Sequence, residues 1–239
     1  MAVESLYDEP EDAPQRIDWP ALQFHDVFKI YRSGPVETVA LRGLEMEISD
    51  GEFVALLGPS GCGKSTLLAL AAGLDQPSAG EVRAFGEPLN GLTEQQLAEY
   101  RAKRVGIVFQ SDNLWPILSA RENVATALRL AGTGEADARA QDALDAVGLG
   151  DRGDHRVAEL SGGEQQRVAI SAAAAREALL VLADEPTGEL DSENEQVVLE
   201  LLSRLAGERR SAVIVVTHSE QVAAAADRVI ELRDGQVAR

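Results

Sequence analysis

Residues 58–66 run Gly58-Pro59-Ser60-Gly61-Cys62-Gly63-Lys64-Ser65-Thr66. Glycines at this spacing let a backbone wrap closely enough to aim its N–H groups at phosphate oxygens. Lys64 would reach the β- and γ-phosphates, and the Ser65 hydroxyl would take a magnesium position. Magnesium needs a carboxylate behind it. Asp184 supplies one at the end of the apolar run Leu180-Val181-Leu182-Ala183, where a parallel sheet places catalytic groups. Glu185, the next residue, points another way and can polarise a water toward the γ-phosphate. A glycine turn alone, or acids at a strand end alone, would be ordinary structure. Together they read as a nucleoside triphosphate site.

The elements that must hold these groups are legible on either side. "GEFVALLG" is a short apolar strand entering the glycine loop, and "KSTLLALAAGL" carries helical spacing to Gly73, the context a phosphate loop requires. Upstream, "LQFHDVFKIYRSG" and "VALRGLEMEIS" read as strands joined at Gly34–Pro35. "GEVRAFGEPL" reads as a strand and turn, and "TEQQLAEYRAKR" as a helix with a capping box from Thr93 to Gln96. "VGIVFQ" is a second buried strand ending at Gln110, and a helical pattern extends from Ser111 to about Leu160. A helix follows "LSGG", "NEQVVLELLSRLAGE" is another, "SAVIVVTHS" is a strand, and "ADRVIELRDGQVA" is a hairpin turning at Asp234–Gly235. Alternating strands and helices imply an α/β fold with a parallel sheet.

Ser161, Gly162 and Gly163 make a second backbone-exposing turn ahead of a helix, by itself either a capped helix start or an anion site. In order, the glycine loop, "LSGGEQQR", "LADEPTGELD" and "VVTHS" resemble the motifs of the ABC-transporter ATPases, over about Leu22 to the C-terminus. The resemblance implies a P-loop NTPase core with a parallel sheet, a small antiparallel β subdomain and a helical subdomain at about 111–172. It implies ATP and Mg2+ as cofactors, and an ATP-sandwich dimer in which the Ser161–Glu164 turn of one copy covers the γ-phosphate held by the other. Gln110 then matches the glutamine linking nucleotide and metal to the helical lobe, Asp191 the aspartate crossing the dimer seam, and His218 the switch histidine. Tyr31 matches the aromatic that stacks on adenine, against the plainer reading of a packed strand tyrosine.

Within that family "LADEPTGELD" and "LSGGEQQRVAI" are more similar to the lipoprotein-release, macrolide-export and cell-division branch (MacB, LolD and FtsE) than to nutrient importers. The resemblance implies an integral-membrane permease of the FtsX or MacB type on a separate chain, with this chain peripheral on the cytoplasmic face. It leaves open an FtsE-like regulator of a cell-wall hydrolase that transports nothing. Several residues depart from the branch: Asp112 and Trp115 after Gln110, Ala172 for arginine, Ala174 for leucine, Ala178 for proline, Glu189 for asparagine and Ser219 for aspartate. Trp115 is either an interface anchor or a core residue of the helical lobe. Cys62 is either a redox brake on the phosphate loop or a small tolerated residue.

Composition narrows the partners. The chain has 239 residues, with 40 acidic against 22 basic and a net charge of -18, a field that opposes nucleic acid. A DNA-maintenance ATPase would also need a coiled-coil insertion or a basic stripe. The single cysteine excludes an internal disulfide. Residues 1–21 read as a loose acidic lead-in without a secretory pattern, and no apolar stretch nears the roughly 20 residues of a membrane helix. The chain is expected to be soluble.

Overall fold

A computed structural model describes residues 19–34 and 36–238. Most of the expected lead-in, and Pro35 of the expected first turn, lie outside the described residues. Strand β1 (Leu22–Ser33) pairs antiparallel with β2 (Val36–Ile48) and with β4 (Ala79–Ala84), and β5 (Glu87–Pro88) closes a four-stranded sheet. A second sheet has six strands in the order β10-β9-β3-β8-β7-β6. Its strands are β3 (Phe53–Leu57), β6 (Val105–Val108), β7 (Leu180–Asp184), β8 (Ala212–Val216), β9 (Arg228–Arg233) and β10 (Gln236–Val237). All of its pairings are parallel except that of β10 with β9.

Strands β3, β6 and β8, and β7 up to Asp184, are apolar because both their faces are covered. Val54, Leu56, Leu180, Leu182, Ile214 and Val216 face a core shared with helix α1 (Lys64–Ala71) and the antiparallel sheet. The alternate residues Phe53, Val181, Ala183, Val213 and Val215 face helices α5 (Gly162–Ala175) and α6 (Ser192–Gly207). A third cluster lies between α3 (Ala120–Leu130), α4 (Ala136–Ala146) and Val168 of α5. Helix α2 (Glu94–Arg104) opens on the expected capping box, Thr93 accepting from the Gln96 N–H and Gln96 from the Thr93 N–H.

Three stretches differ from the sequence pattern. Residues 111–119 are not helical. Asp112 adopts a left-handed φ of 58°, and the Asn113 side chain bonds both the N–H and the carbonyl of Phe109, local bonds that compete with a helical turn. Helix α3 therefore starts only at Ala120, on a capping box between Ser119 and Glu122. Beyond α4 the chain makes only short 3₁₀ turns at Gly150–Arg152 and Val157–Glu159. A short helix α7 (Glu220–Ala225), capped by Ser219, lies where no element is expected. Among the described residues no helix is long and apolar enough to cross a membrane.

The last hairpin is joined to the phosphate loop. The Gly235 N–H donates to the Cys62 carbonyl (3.0 Å), and the Gly235 carbonyl accepts from the Arg42 N–H (2.9 Å). Gly235 has φ 79°, and a Cβ there would lie 2.6 Å from the Ala40 carbonyl oxygen and 2.9 Å from Leu41 Cα. Both neighbours are backbone and cannot step aside. Gly235→Ala is expected to lower stability by about 1–3 kcal/mol. Denaturant unfolding checks this, and an unchanged midpoint would show that the hairpin is not held by this junction.

Candidate active site

The phosphate loop leaves β3 and closes at Gly63, which caps α1 with φ 109°. A Cβ on Gly63 would lie 2.5 Å from the Ala40 carbonyl oxygen, and one on Gly58 2.3 Å from that of Leu232. Only glycine fits either position. Lys64 is 8% exposed, and its ammonium donates to the carbonyls of Gly58 (2.7 Å) and Pro59 (3.0 Å). Those two bonds curl the loop back over the α1 N-terminus, whose polarity suits phosphate. Cys62 is buried in the core beneath the loop, its sulfur 3.9 Å from the Lys64 nitrogen.

Ser65 donates to Asp184 Oδ2 at 2.9 Å. One hydroxyl and one carboxylate in contact at the mouth of a phosphate loop form a hard-oxygen donor pair of the kind magnesium takes. Gln110 is not drawn to this pair. Its side-chain amide donates instead to Glu189 Oε1 at 3.2 Å, an interaction open to it because this chain has a carboxylate at 189.

Glu185 follows Asp184 with φ 49°, a left-handed conformation costly for a side chain of this size. Its N–H donates to the Val216 carbonyl (2.9 Å) and its carbonyl accepts from the Gly188 N–H (3.1 Å), which hold the strain in place. The turn aims Glu185 at the end of β8. There Oε2 accepts from the His218 N–H (3.3 Å), and Oε1 lies 3.4 Å from His218 Nε2. His218 is an exposed partner of this acid rather than a packed strand histidine.

The second turn is built as a capped helix start in this single chain. The Ser161 hydroxyl accepts from the Glu164 N–H, and Glu164 from the Ser161 N–H. That backbone bond is the chief reason the Glu164 carboxyl sits below the ordinary range. Asp191 caps α6 in the same way, accepting from the Asn194 N–H (2.9 Å), which likewise lowers its carboxyl. Sequence patterning gives no role to Asn194, yet it joins the two turns. A Cβ on Gly163 would lie 2.4 Å from Asn194 Oδ1, and that oxygen accepts from Arg167 at 2.8 Å.

Gln166 is also missed by pattern alone. It is 4% exposed, and its amide donates to the carbonyls of Phe109 and Gln110, each at 2.8 Å, while its oxygen accepts from Asn113 at 2.8 Å. The Gln110 loop is thereby fixed to the helix that begins at Ser161. Nothing in the local sequence marks this contact, which spans 56 residues.

Three departures find physical accounts. Trp115 is 60% exposed, so it does not pack inside the helical cluster. It borders a cleft of about 170 Å³ that also contains Asn123, Leu130, Ala172 and Arg176. Arg176 sits one helical turn after Ala172. Its guanidinium folds back to the carbonyls of Ala172, Ala102 and Val105, so an arginine still lines the cleft where 172 lacks one. Ser219 donates to Glu195 Oε1 at 2.6 Å, a contact that an aspartate at 219 would turn into carboxylate repulsion.

Ser219→Asp is therefore expected to destabilise the chain by roughly 1 kcal/mol. Glu195→Gln in the same background should restore the loss. Thermal unfolding of the two variants tests this, and a single variant as stable as the parent would remove the Ser219–Glu195 bond as the reason for serine.

The family model described as ABC transporter matches residues 41–188. An uncharacterized ABC transporter ATP-binding protein of Thermotoga maritima is 44% identical over 90% of this chain and 93% of its own length. The lipoprotein-releasing system ATP-binding protein LolD of Chromohalobacter salexigens is 45% identical over 90% of this chain and 92% of its own. The macrolide export ATP-binding/permease protein MacB of Azoarcus sp. is 43% identical over 91% of this chain, which spans only 33% of that longer protein. Among solved structures, a dimeric post-hydrolysis state of the ATP-binding cassette MJ0796, bound to ADP and Pi, is 39% identical. It superposes with a TM-score of 0.85 over 91% of this chain and 97% of that one.

Proposed function

Because this chain belongs to the ABC transporter ATP-binding family, we propose that it is the ATP-hydrolysing subunit that drives a separate membrane permease. One observation carries the reading. Lys64 in its glycine loop, the Ser65–Asp184 contact at 2.9 Å and the Glu185–His218 contact at 3.4 Å converge at the ends of three adjacent strands, β3, β7 and β8. Nucleotide, metal and water each need one of these groups.

In this reading residues 58–66 wrap the phosphates and Lys64 neutralises their outer oxygens. Ser65 and Asp184 hold magnesium, which when bound would withdraw charge from the β- and γ-phosphates. Gln110 joins them when it leaves Glu189. Glu185 takes a proton from the attacking water as the bond from the γ-phosphorus to the bridging oxygen breaks, leaving ADP and phosphate. His218 holds the Glu185 carboxylate in line. The Ser161–Glu164 turn and Asp191, joined through Asn194, face a second copy and complete its site.

The permease would dock where Trp115, Ile117 and Leu130 are exposed beside the cleft. Aromatic and aliphatic groups around a concavity are the usual makings of an interface. The match to nearly the full length of the LolD relative supports a separate permease chain, and the family branch supports export, lipoprotein release or mechanical transmission at the cytoplasmic face of a membrane. Recovery of the chain with a membrane protein whose coupling segment cross-links beside Trp115 would test the docking.

Glu185→Gln tests the catalytic role. It is expected to bind ATP and to dimerise in its presence, with turnover reduced on the order of 10²–10⁴-fold. Phosphate release at the parent rate would take Glu185 out of the base role.

A further inference from the structure

Tyr31 does not stand alone at the edge of β1. Lys29, two residues earlier, places its ammonium 4.9 Å from the centre of the Tyr31 ring. The same ammonium donates to Asp75 Oδ1 at 2.5 Å and to the Gln76 carbonyl at 2.8 Å. The Tyr31 hydroxyl donates to the other carboxylate oxygen, Asp75 Oδ2, at 3.0 Å. One carboxylate therefore holds both the cation and the phenol. The Lys29 side chain is 12% exposed and Tyr31 is 41% exposed. The ammonium over the ring is thus sheltered, while the ring itself keeps exposed surface. Tyr31 pairs with Thr38 of β2, two residues before Ala40, whose carbonyl lies against Gly63 of the phosphate loop, so the ring sits on the strand pair beside that loop.

Partial burial works to raise the Asp75 carboxyl. Hydrogen bonds from Lys29, the Gln76 N–H and Tyr31 outweigh it and hold the group below its ordinary value. The acid is therefore ionised at neutral pH, and the cluster is a charged pair with a phenol tied to it.

We propose that Lys29 and Asp75 are positioning residues for nucleotide base recognition, locking the Tyr31 ring and polarising it so that its other face receives the adenine of ATP. The proposal rests on the reading of Tyr31 as the base platform. A cation over one face draws π density toward itself and leaves the other face better matched to an electron-rich purine. A ring held by its hydroxyl has little motion left to lose when the base arrives. Neither side chain reaches the phosphate loop by hydrogen bond: among the described residues the partners of the Lys29 and Tyr31 side chains are Asp75 and Gln76. The cluster's contribution therefore belongs to the base, and not to the phosphates.

The experiment compares affinity for ATP with affinity for inorganic tripolyphosphate, which has the phosphates and no base, using the full chain and equilibrium dialysis. Tyr31→Ala sets the full size of the base effect. Lys29→Met and Asp75→Ala are expected to weaken ATP binding by about threefold to tenfold and to leave tripolyphosphate binding unchanged. Lys29→Arg, which keeps a cation over the ring, should recover most of the loss. If Tyr31→Ala weakens both ligands equally or neither, the base platform fails and the proposal with it. If Tyr31→Ala is selective for ATP but Lys29→Met and Asp75→Ala are not, the platform stands and the clamp is overturned. Equal weakening of both ligands by Lys29→Met also overturns it, by showing that the pair only supports the fold.

Discussion

The nucleotide end of this chain is organised around a buried ammonium that has no carboxylate partner among the described residues. The contacts of the Lys64 nitrogen are two carbonyls of its own loop and the Cys62 sulfur. Dipoles compensate a buried charge less well than an opposite charge does, so the loop is held ready for an anion. The curl that brings those carbonyls inward leaves no room for side chains at 58 and 63. Stacking Gly63 on Ala40, Gly58 on Leu232 and Gly235 on both Ala40 and Leu41 draws the antiparallel sheet and the last hairpin beneath the phosphate loop.

The sheet imposes the second condition. Strands buried on both faces leave only their ends for polar chemistry. Parallel register places Asp184 opposite Val216, so residues just past β7 and β8 emerge together. Glu185 completes the geometry by accepting a left-handed backbone that the Val216 carbonyl stabilises. The strain is localised where a carboxylate must turn away from its neighbour and toward His218.

A third set of contacts joins the loop carrying Gln110 to the helix beginning at Ser161, through the Gln166 amide. The turn at Ser161 is joined in turn to the Asp191 corner through Asn194 and Arg167. Each of these links is a side-chain hydrogen bond of 2.8 or 2.9 Å, so the three turns are tied to one another. In the proposed dimer, these are the groups that would carry a change in one site toward the other.

The candidate site residues were legible in the sequence because each lies in a short local pattern: Gly58 to Thr66, Asp184 with Glu185, Ser161 to Glu164, and His218 after an apolar strand. Their order also placed the parallel core and the terminal hairpin, since strand periodicity and turn residues are local signals. The antiparallel pairing of β1 with β4 and the order of the six-stranded sheet needed the fold. So did the non-helical stretch at 111–119, where an Asn113 side chain overrides the helical pattern.

What the sequence by itself determined was the identity of the groups and the elements next to them, because loop, strand and helix propensities act over a few residues. What only the tertiary structure decided was their company. It put Asp75 on Lys29 and Tyr31, Gln166 on the Gln110 loop, Arg176 in the cleft that Ala172 leaves open, and Glu189 on Gln110. It also put Trp115 on the surface rather than in the core. Each of these contacts joins residues far apart in the chain or depends on which face of an element is covered, and packing alone settles that.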